Sequence, residues 1–232
     1  MKVEIWSDVV CPWCFVGKRQ FERALERFDH ADELEITWRA YELDPRAPEV
    51  REGTYAERIA RKYGMEVGAA RAAMSRIISV GAEAGIEFKF DSMQPGNTFN
   101  AHRLLHYAKT QGRQDAFKER LLHATFFEGQ ATGTHEVLAQ LAVEVGLDVA
   151  GVAEVLDSEL FGDDVRSDER VAQALGVTGV PFFLIDETYG IPGAQAPDVF
   201  LSILERAWGE THRTVQIVGA DGQVCDDEAC EI

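Results

Sequence analysis

Two cysteines separated by two residues lie where a strand pattern changes to the pattern of an amphipathic helix. The motif is Cys11-Pro12-Trp13-Cys14, and the apolar residues between 3 and 6 predict a strand before it. Proline is well tolerated in the first turn of a helix, where its missing N–H has no partner to lose. A thiol at this junction lies beside free backbone N–H groups and the positive end of the helix dipole, which stabilise a thiolate. The motif therefore predicts an exposed, reactive Cys11 and, one turn later, a more buried Cys14.

Thiol–disulfide exchange needs a thiolate that attacks, a mixed-disulfide intermediate and a second thiol that resolves it. The spacing suits Cys11 as the attacking thiol and Cys14 as the resolving thiol, which stays protonated until it attacks. Pro12 and an exposed Trp13 are expected to contact the substrate beside the thiols. The alternative is that the pair forms half of a zinc site, which would need two further ligands at suitable spacing.

The rest of the chain predicts an α/β fold with a large all-helical insertion. Residues 34–38 alternate like a second strand, so residues 1–45 predict a βαβ unit with parallel strands and a right-handed crossover. From about 54 to 175 the chain is Ala-rich with helical periodicity and has no convincing strand pattern. Strand character returns at 177–186, and Pro197 is expected to open another helix.

Pro181 interrupts an apolar run that otherwise has the pattern of a central strand. Proline cannot donate a hydrogen bond to a strand ladder, so it belongs at the first residue of a strand or on an edge. A cis Val180-Pro181 bond would bring this backbone next to the cysteine pair, where Val180 would pair its N–H and C=O with an extended substrate. The alternative is a trans proline at the start of a strand, which is the commoner isomer.

These elements together resemble the thioredoxin superfamily, and more closely the DsbA-type branch that includes FrnE-like proteins and 2-hydroxychromene-2-carboxylate isomerases. The matching blocks are residues 7–14, 97–103 and 176–183, and the resemblance covers about residues 1–210. It implies a thioredoxin-like fold with a helical insertion, a cis-proline at Pro181, and Cys11 and Cys14 as nucleophile and resolving thiol. Isomerase members typically have serine at the position of Cys11 and bind glutathione there, so the two cysteines favour thiol–disulfide chemistry.

The predicted domains follow from this resemblance. Residues 1–45 and 176–212 form a thioredoxin-like domain, residues 46–175 an inserted helical domain, and residues 213–232 a C-terminal strand and a tail that carries two cysteines. The middle matching block is expected to open a helix capped by Asn97 or Thr98. Its polar side chains line the cleft or tie this helix to its neighbours; they are Asn100, His102 and Arg103.

The second cysteine pair, Cys225 and Cys230, lies in the acidic tail. Positions five apart do not face each other on an α-helix, so a disulfide here would need an irregular turn. The neighbouring carboxylates would raise the pKa of both thiols, which makes them poor first attackers. Three readings stay open: a relay that exchanges electrons with Cys11 and Cys14, a structural or incidental disulfide, and a pair of metal ligands.

Charge and composition exclude several classes of function. The 232 residues include 40 acidic and 23 basic side chains, for a net charge of −17. Such a surface repels phosphate backbones and anionic lipids, so we expect neither a nucleic acid nor a membrane partner. A hydrophobic content of 46% supports a folded core. The first residues lack the apolar run and cleavage site of a secretory signal, which predicts a cytoplasmic location.

The sequence thus predicts a cytoplasmic protein dithiol–disulfide oxidoreductase. Its expected substrates are proteins with thiols or disulfides, with glutathione or a thioredoxin-type reductant as candidate partners, and it needs neither an organic cofactor nor a metal. The net direction of electron flow is left open, because about 30 mV changes the two-electron equilibrium tenfold. Two alternatives are a glutathione-dependent isomerase of a small aromatic acid and a zinc-binding module that uses the four cysteines.

Overall fold

A mixed four-stranded sheet organises the chain in the computed structural model, which describes residues 1–212. The strands are β1 (Lys2–Ser7), β2 (Glu35–Ala40), β3 (Phe182–Ile185) and β4 (Tyr189–Pro192). They lie in the order β2-β1-β3-β4, with β1 parallel to β2, and β3 antiparallel to both β1 and β4. The predicted βαβ unit is confirmed. The strand predicted around residues 214–218 and the pair Cys225 and Cys230 lie outside the described residues.

Nine α-helices surround this sheet in the described part of the chain. They are α1 (Pro12–Leu25), α2 (Tyr55–Tyr63), α3 (Val67–Glu83), α4 (Phe99–Thr110), α5 (Gln114–His123), α6 (His135–Glu144), α7 (Val149–Asp157), α8 (Gly162–Ala174) and α9 (Pro197–Thr211). Seven of them, α2 to α8, lie between β2 and β3, and no strand occurs among them. The predicted helical insertion is therefore confirmed. None of the helices in residues 1–212 combines the length and the apolar character needed to cross a bilayer.

Alternation along β1 sends its side chains to two different layers. Val3 and Ile5 are fully buried in an apolar cluster with residues of α1 and α9. The aromatic centre of that cluster is compact, since the ring of Phe183 lies 4.6 Å from that of Phe200. On the other face, Trp6 donates its indole N–H to the backbone oxygen of Asp168 in α8 at 2.9 Å. The first cysteine pair follows directly on this two-sided strand.

The inserted helix α5 contacts the backbone of the edge strand β2 through the side chain of Gln114. The amide of Gln114 accepts a hydrogen bond from the backbone N–H of Trp38 at 3.0 Å and donates one to its carbonyl oxygen at 2.9 Å. The amide thereby satisfies both backbone groups of Trp38, as a neighbouring strand would. This attachment fixes where the rest of α5, including Lys118, meets the end of β1.

Candidate active site

The first cysteine pair lies at the start of α1. Cys11 is the residue before the helix, and its carbonyl oxygen accepts hydrogen bonds from the N–H groups of Cys14 at 3.1 Å and Phe15 at 3.4 Å. Pro12 occupies the first helical turn, as the sequence predicts. Both cysteines are free thiols. Local sequence alone therefore accounts for the position of the pair at the helix N-terminus.

The exposure of the two thiols differs from the expectation in one respect. Trp13 is exposed at 38% and Cys14 is buried at 1%, as expected, but Cys11 is only 4% exposed. The expectation of an exposed Cys11 is therefore wrong. Part of the cover comes from a distant segment, since the Cys11 Sγ donates a hydrogen bond to the carbonyl oxygen of Val180 at 3.6 Å.

The Val180-Pro181 peptide is cis and lies against the cysteine pair, as predicted. The carbonyl oxygen of Pro181 accepts a hydrogen bond from the N–H of Gly193 at 2.8 Å, which ties this turn to the end of β4. The N–H of Val180 makes no hydrogen bond to any residue among 1–212. Within the described residues, the N–H of Val180 is therefore available as a donor. The predicted pairing with a substrate backbone requires such a donor.

Gly17 is a site residue that the sequence did not reveal. A Cβ atom at this position would lie 2.8 Å from the Cγ of Pro181, closer than such contacts occur in proteins. The absence of a side chain lets α1 approach the proline, so Gly17 helps to bring Cys11 and Val180 together. A lone glycine inside a helix pattern is the only signal in the sequence, and it does not name the residue it approaches.

Groups from two different elements act on the ionisation of Cys14. Burial works to raise the pKa of Cys14, but the neighbouring Cys11 thiol and the positive charge of Lys118 act against burial, and the pKa is lowered. Lys118 is fully buried, and its Nζ donates a hydrogen bond to the carbonyl oxygen of Ser7 at 3.3 Å. Burial lowers the pKa of Lys118 to about 8 even though Cys14 and Asp8 act in the opposite direction.

The two thiols of the reduced pair influence each other's ionisation. The hydrogen bond to Cys14, together with burial and the charge of Cys14, raises the pKa of Cys11 well above its usual range. Removal from water favours the neutral form of Cys11, whereas the buried Lys118 favours a negative charge on Cys14. The prediction that Cys11 supplies the attacking thiolate and Cys14 resolves the mixed disulfide stays a prediction.

Asp8 and His102 form a second buried pair beside the cysteines. Both side chains are 1% exposed, and Oδ1 of Asp8 lies 3.5 Å from Nε2 of His102. Burial acts to raise the pKa of Asp8, but His102 and the backbone N–H of Leu43 outweigh it, so the carboxyl remains ionised more readily than usual. The position of His102 makes it a partner of Asp8 rather than of a thiol.

The block of residues 97–103 serves mainly to hold α4 in place. The side-chain oxygen of Asn97 accepts a hydrogen bond from the N–H of Phe99 at 2.9 Å, whereas Thr98 makes no capping bond. Arg103 donates to the carbonyl oxygen of Leu160 at 2.8 Å, and also to carbonyls at the end of α7. The sequence allowed two roles for these side chains, lining the cleft or tying α4 to its neighbours. The contacts of Arg103 support the second role.

A cavity of about 510 Å³ opens beside the β1–α1 loop. It is lined by Asp8 and Val10 of that loop, by Tyr55 in α2, and by a group of basic side chains. The basic residues are Arg51, Arg58, Arg61 and Lys62, and the acidic residues are Asp8, Asp44 and Glu52. Burial and the nearby charge of Arg51 lower the pKa of Arg58, so two guanidinium groups lie close together here. The cavity is thus richer in positive charge than a chain of net charge −17 would suggest.

Lys118 was missed because a single lysine in a helix usually extends into solvent. The available signal is its position three and four residues before Leu121 and Leu122, which puts it on the apolar face of α5. Asp8 and Ser7 belong to the quoted motif but carry no role in the sequence argument. In residues 1–212 no group of three or more histidine, cysteine or acidic side chains is arranged to hold a metal ion.

Comparison with known proteins gives consistent matches along the chain. The DSBA-like thioredoxin domain family matches residues 2–205. The Bacillus subtilis protein YwbO is 31% identical over 201 residues, which make up 85% of this chain and 92% of YwbO. The structure of a probable DsbA oxidoreductase from Streptomyces coelicolor is 39% identical, with a TM-score of 0.86, and the match covers 97% of this chain and 99% of that one.

Two more distant structures share the fold alone. A 2-hydroxychromene-2-carboxylate isomerase is 16% identical with a TM-score of 0.63, over 91% of this chain and 96% of its own. The cytosolic disulfide reductase DsbM from Pseudomonas aeruginosa, also solved with GSH, is 18% identical with a TM-score of 0.61, over 89% of this chain and 98% of its own.

These matches confirm the resemblance inferred from residues 7–14, 97–103 and 176–183, and they confirm the thioredoxin-like fold with its helical insertion. The names of the matching proteins support a redox role in general. The family match runs from β1 through the inserted helices into α9, and so it includes both cysteines and the cis-proline. The chain belongs to the DSBA-like thioredoxin domain family.

Proposed function

We propose that the protein is a dithiol–disulfide oxidoreductase in which Cys11 attacks a substrate sulfur and Cys14 resolves the mixed disulfide. The observation that carries the proposal is the position of two free thiols in the first turn of α1, with the Cys11 Sγ 3.6 Å from the carbonyl oxygen of Val180. Family membership supports redox chemistry in general. The protein substrates, the assignment to the FrnE-like group and the cytoplasmic location are part of this proposal.

The chemistry requires the reduced pair to lose one proton, so that it carries one negative charge. A proton moves from Cys11 to Cys14 along the hydrogen bond between them, which makes Cys11 the attacking thiolate. Cys11 forms a bond to one sulfur of the substrate disulfide, and the other substrate sulfur leaves as a thiolate. Cys14 then attacks the Cys11 sulfur and the bond from Cys11 to the substrate breaks; the proton of Cys14 passes to the second substrate sulfur, which leaves as a thiol. The substrate gains two electrons and the enzyme ends as a Cys11–Cys14 disulfide; the reverse sequence oxidises a dithiol substrate.

Val180 and Pro181 are proposed to hold the substrate backbone during this exchange. The unpaired N–H of Val180 offers a donor beside the attacking sulfur, and an extended peptide would supply the acceptor. Exposed Trp13 offers apolar surface on the other side of the thiols. Pro12 keeps the helix start in place beneath them.

The test is the trapping of the mixed disulfide. Cys14→Ser should accumulate a covalent adduct with a protein disulfide substrate, because Cys11 attacks and nothing resolves it. Cys11→Ser should lose turnover by at least about 10³-fold, since the remaining thiol cannot reach the substrate. Adducts are detected by non-reducing electrophoresis and mass spectrometry. Full turnover by Cys11→Ser, or an adduct on Cys14 of the wild type, would contradict the assigned roles.

Glutathione is proposed as the small-molecule partner that enters through the basic cavity. Glutathione carries two carboxylates, and the cavity presents Arg61 and Lys62 at its outer edge, where both residues are exposed. Two positive charges on the cavity wall raise the local concentration of an acidic disulfide. The fold-level likeness to DsbM, which has been solved with GSH, is consistent with this choice.

The double variant Arg61→Gln/Lys62→Gln should reduce kcat/KM for glutathione disulfide about tenfold while leaving hydroxyethyl disulfide, which is neutral, unchanged. Lys109→Gln/Arg113→Gln removes the same charge from exposed positions around the end of α4 and is the matched control. Equal losses in both double variants would show a general charge effect and remove glutathione from the proposal. Conversion of a hydroxychromene acid by the wild type, and by Cys14→Ser, would instead favour the isomerase.

The tail pair is proposed as a relay for Cys11 and Cys14. Because Cys225 and Cys230 lie beyond the described residues, the support for the relay is the sequence alone. Cys225→Ser/Cys230→Ser should slow reoxidation or reduction of the first pair without changing adduct formation by Cys11. An unchanged rate of electron transfer would end the relay hypothesis.

A further inference from the structure

The basic cavity beside the β1–α1 loop contains two arginines that no step above uses. They are Arg51 and Arg58, which are partly buried, whereas Arg61 and Lys62 of the same cavity are exposed. Arg51 forms one ion pair in the described part of the chain, to Asp44 at 2.8 Å. The guanidinium group of Arg58 donates to two backbone carbonyl oxygens and has no carboxylate partner among the described residues.

The positive charge of these two arginines is poorly compensated. Burial and the charge of Arg51 lower the pKa of Arg58, so the two guanidinium groups are close enough to repel each other. The Nε atom of each is shielded from solvent and makes no hydrogen bond within residues 1–212. A donor left without an acceptor destabilises the fold. A carboxylate in the cavity would supply the missing negative charge, since guanidinium groups bind carboxylates with strong, directional hydrogen bonds.

The start of α2 holds this part of the cavity wall in a fixed position. Thr54 and Glu57 form a capping box there, in which each side chain accepts a hydrogen bond from the backbone N–H of the other. The ring of Tyr55 stacks on Phe90 with the ring centres 4.9 Å apart, and Arg58 lies 5.8 Å from the centre of the Tyr55 ring. A ligand would therefore meet side chains that are already ordered, which lowers the entropy cost of binding.

The cavity extends to the loop that carries the attacking thiol. Asp8 and Val10 line it, and Val10 directly precedes Cys11. An extended peptide spans about 3.3 Å per residue, so a side chain within four residues of a substrate cysteine lies within about 13 Å of it along the backbone. Residues that flank the substrate cysteine can therefore reach the cavity while that cysteine is bonded to Cys11.

We propose that Arg51 and Arg58 bind a carboxylate of the protein substrate, so that the enzyme prefers cysteines with Asp or Glu within four residues. The inference rests on the proposed dithiol–disulfide function and deepens it, because it names the substrate class of the same site. Arg61 and Lys62 attract the acidic segment from solvent, and the two less exposed arginines hold it. Arg51 and Arg58 determine specificity and take no part in making or breaking the disulfide.

The overall charge of the chain gives this preference a distinctive sign. With a net charge of −17, the protein as a whole repels an acidic peptide. Long-range electrostatics therefore predicts that acidic substrates react more slowly than neutral ones. A carboxylate site beside the thiols predicts the opposite order.

The experiment measures how fast Cys11 attacks three peptides that differ only beside their single cysteine. Each peptide carries this cysteine as a mixed disulfide with 2-thiopyridine, and has two Glu, two Gln or two Lys within four residues of it. Cys14→Ser, Cys225→Ser and Cys230→Ser are combined in the full chain, which leaves Cys11 as its only cysteine. The Cys11 thiolate forms a bond to the peptide sulfur, and pyridine-2-thione leaves with the electron pair and is followed by its absorbance.

We expect the second-order rate constant of the Glu peptide to exceed that of the Gln peptide at least about tenfold, which is the effect of one hydrogen bond between charged groups. The Lys peptide should be the slowest. Arg51→Gln/Arg58→Gln should reduce the ratio of the Glu to the Gln rate to below about two. Lys109→Gln/Arg113→Gln, which removes the same charge from exposed positions around the end of α4, is the matched control and should keep the ratio. A Glu peptide that reacts no faster than the Gln peptide, or equal ratios in both double variants, would overturn the proposal.

A second comparison keeps both arginines, so it does not depend on the folding of the double variant. The two Glu are moved about twelve residues from the peptide cysteine by a Gly/Ser spacer. The acceleration should fall below about twofold, because a long flexible spacer lowers the effective concentration of the carboxylates at the cavity. An equal acceleration by the distant pair would show a general charge effect and overturn the proposal.

The acidic tail of the chain itself is the competing occupant of the cavity, since it contains Asp226, Asp227 and Glu228. A preference for the Glu peptide that appears only when the chain ends at Ala220 would assign the cavity to the tail and overturn the proposal. The Gln peptide separates the present inference from the proposed function, because its rate reports attack by Cys11 alone. Release that is independent of peptide charge counts against the carboxylate site only, whereas no release from any peptide would overturn both.

Discussion

Two lysines approach the same indole in opposite electrostatic surroundings. Lys18 of α1 lies 5.9 Å from the centre of the Trp38 ring and Lys118 of α5 lies 5.4 Å from it. Lys18 contacts Glu22 and lies 3.4 Å from Asp115 and 3.1 Å from Glu119. Lys118 has the Ser7 carbonyl and the dithiol instead.

The pKa values of the two groups diverge accordingly. Burial acts to lower the pKa of Lys18, but its three carboxylates outweigh burial and raise it above 10.5. Burial dominates for Lys118 and lowers its pKa to about 8. The comparison teaches that similar burial against one ring does not decide the role of a lysine. Lys18 forms ion pairs with three carboxylates, whereas Lys118 lies in the field of the ionisable thiols and of the buried Asp8 carboxylate.

The largest expected effect comes from removing the ring that both lysines share. Trp38 is 4% exposed, so Trp38→Ala should lower the free energy of unfolding by about 4 kcal/mol through loss of packing. Trp38→Phe, which keeps an aromatic face but loses the N–H that donates to Asp115 at 2.9 Å, should cost less than half as much. Urea unfolding measures both. A loss below about 1 kcal/mol for Trp38→Ala would show that packing against the Trp38 ring is not what holds the two lysines in place.

The next effect is a pH dependence that separates the two lysines. Lys118 has a folded pKa of about 8 against an ordinary 10.5, so between these values the unfolded chain holds a proton that the folded chain has released. Stability therefore rises with pH across this window, by on the order of 3 kcal/mol. Lys18 has the opposite sign: its contribution is present below pH 10.5 and is lost as pH rises through its raised folded pKa.

The measurement compares unfolding of the oxidised wild type with oxidised Lys118→Met from pH 7 to 10.5, so that the first cysteine pair does not titrate. The wild type should gain stability relative to the variant as pH increases. With the thiolate absent, the rise should begin at or below pH 8, because Cys14 no longer favours the charged lysine. Parallel curves would mean that Lys118 does not titrate in the folded protein, and the contrast with Lys18 would fail.

The parts of the site that a sequence can predict are those fixed by residues close together in the chain. The position of Cys11 and Cys14 follows from neighbours a few residues away, through the strand pattern, Pro12 and the helix that follows. The cis peptide at Pro181 was predictable because a proline in an apolar run and a Cys-x-x-Cys motif constrain each other. Helical periodicity alone was sufficient for the insertion between residues 46 and 175.

What the sequence did not predict depends on contacts between distant segments. Cys11 is buried because Val180, 169 residues later, lies against it, and the close approach needs the bare backbone of Gly17. The low pKa of Cys14 depends on Lys118, which is delivered by a helix of the insertion that Gln114 attaches to β2. Neither contact leaves a local pattern in the sequence. Composition and periodicity therefore predict which cysteine attacks and which one resolves, but they do not predict how distant segments change the pKa values of the two thiols.

The smallest expected effect tests the Lys18 side of the comparison. Lys18→Met removes one of the two cations that Glu22 and Glu119 share, and Arg19 still contacts both carboxylates. These carboxylates are about one-third exposed, at 36% and 33%, so water screens much of the repulsion. We expect a loss of about 1 kcal/mol in the free energy of unfolding, equal in the oxidised and reduced protein and smaller in 0.5 M salt than at low ionic strength. A loss that differs between the two redox forms would show that Lys18 also senses the dithiol, and the division of roles between the two lysines would no longer hold.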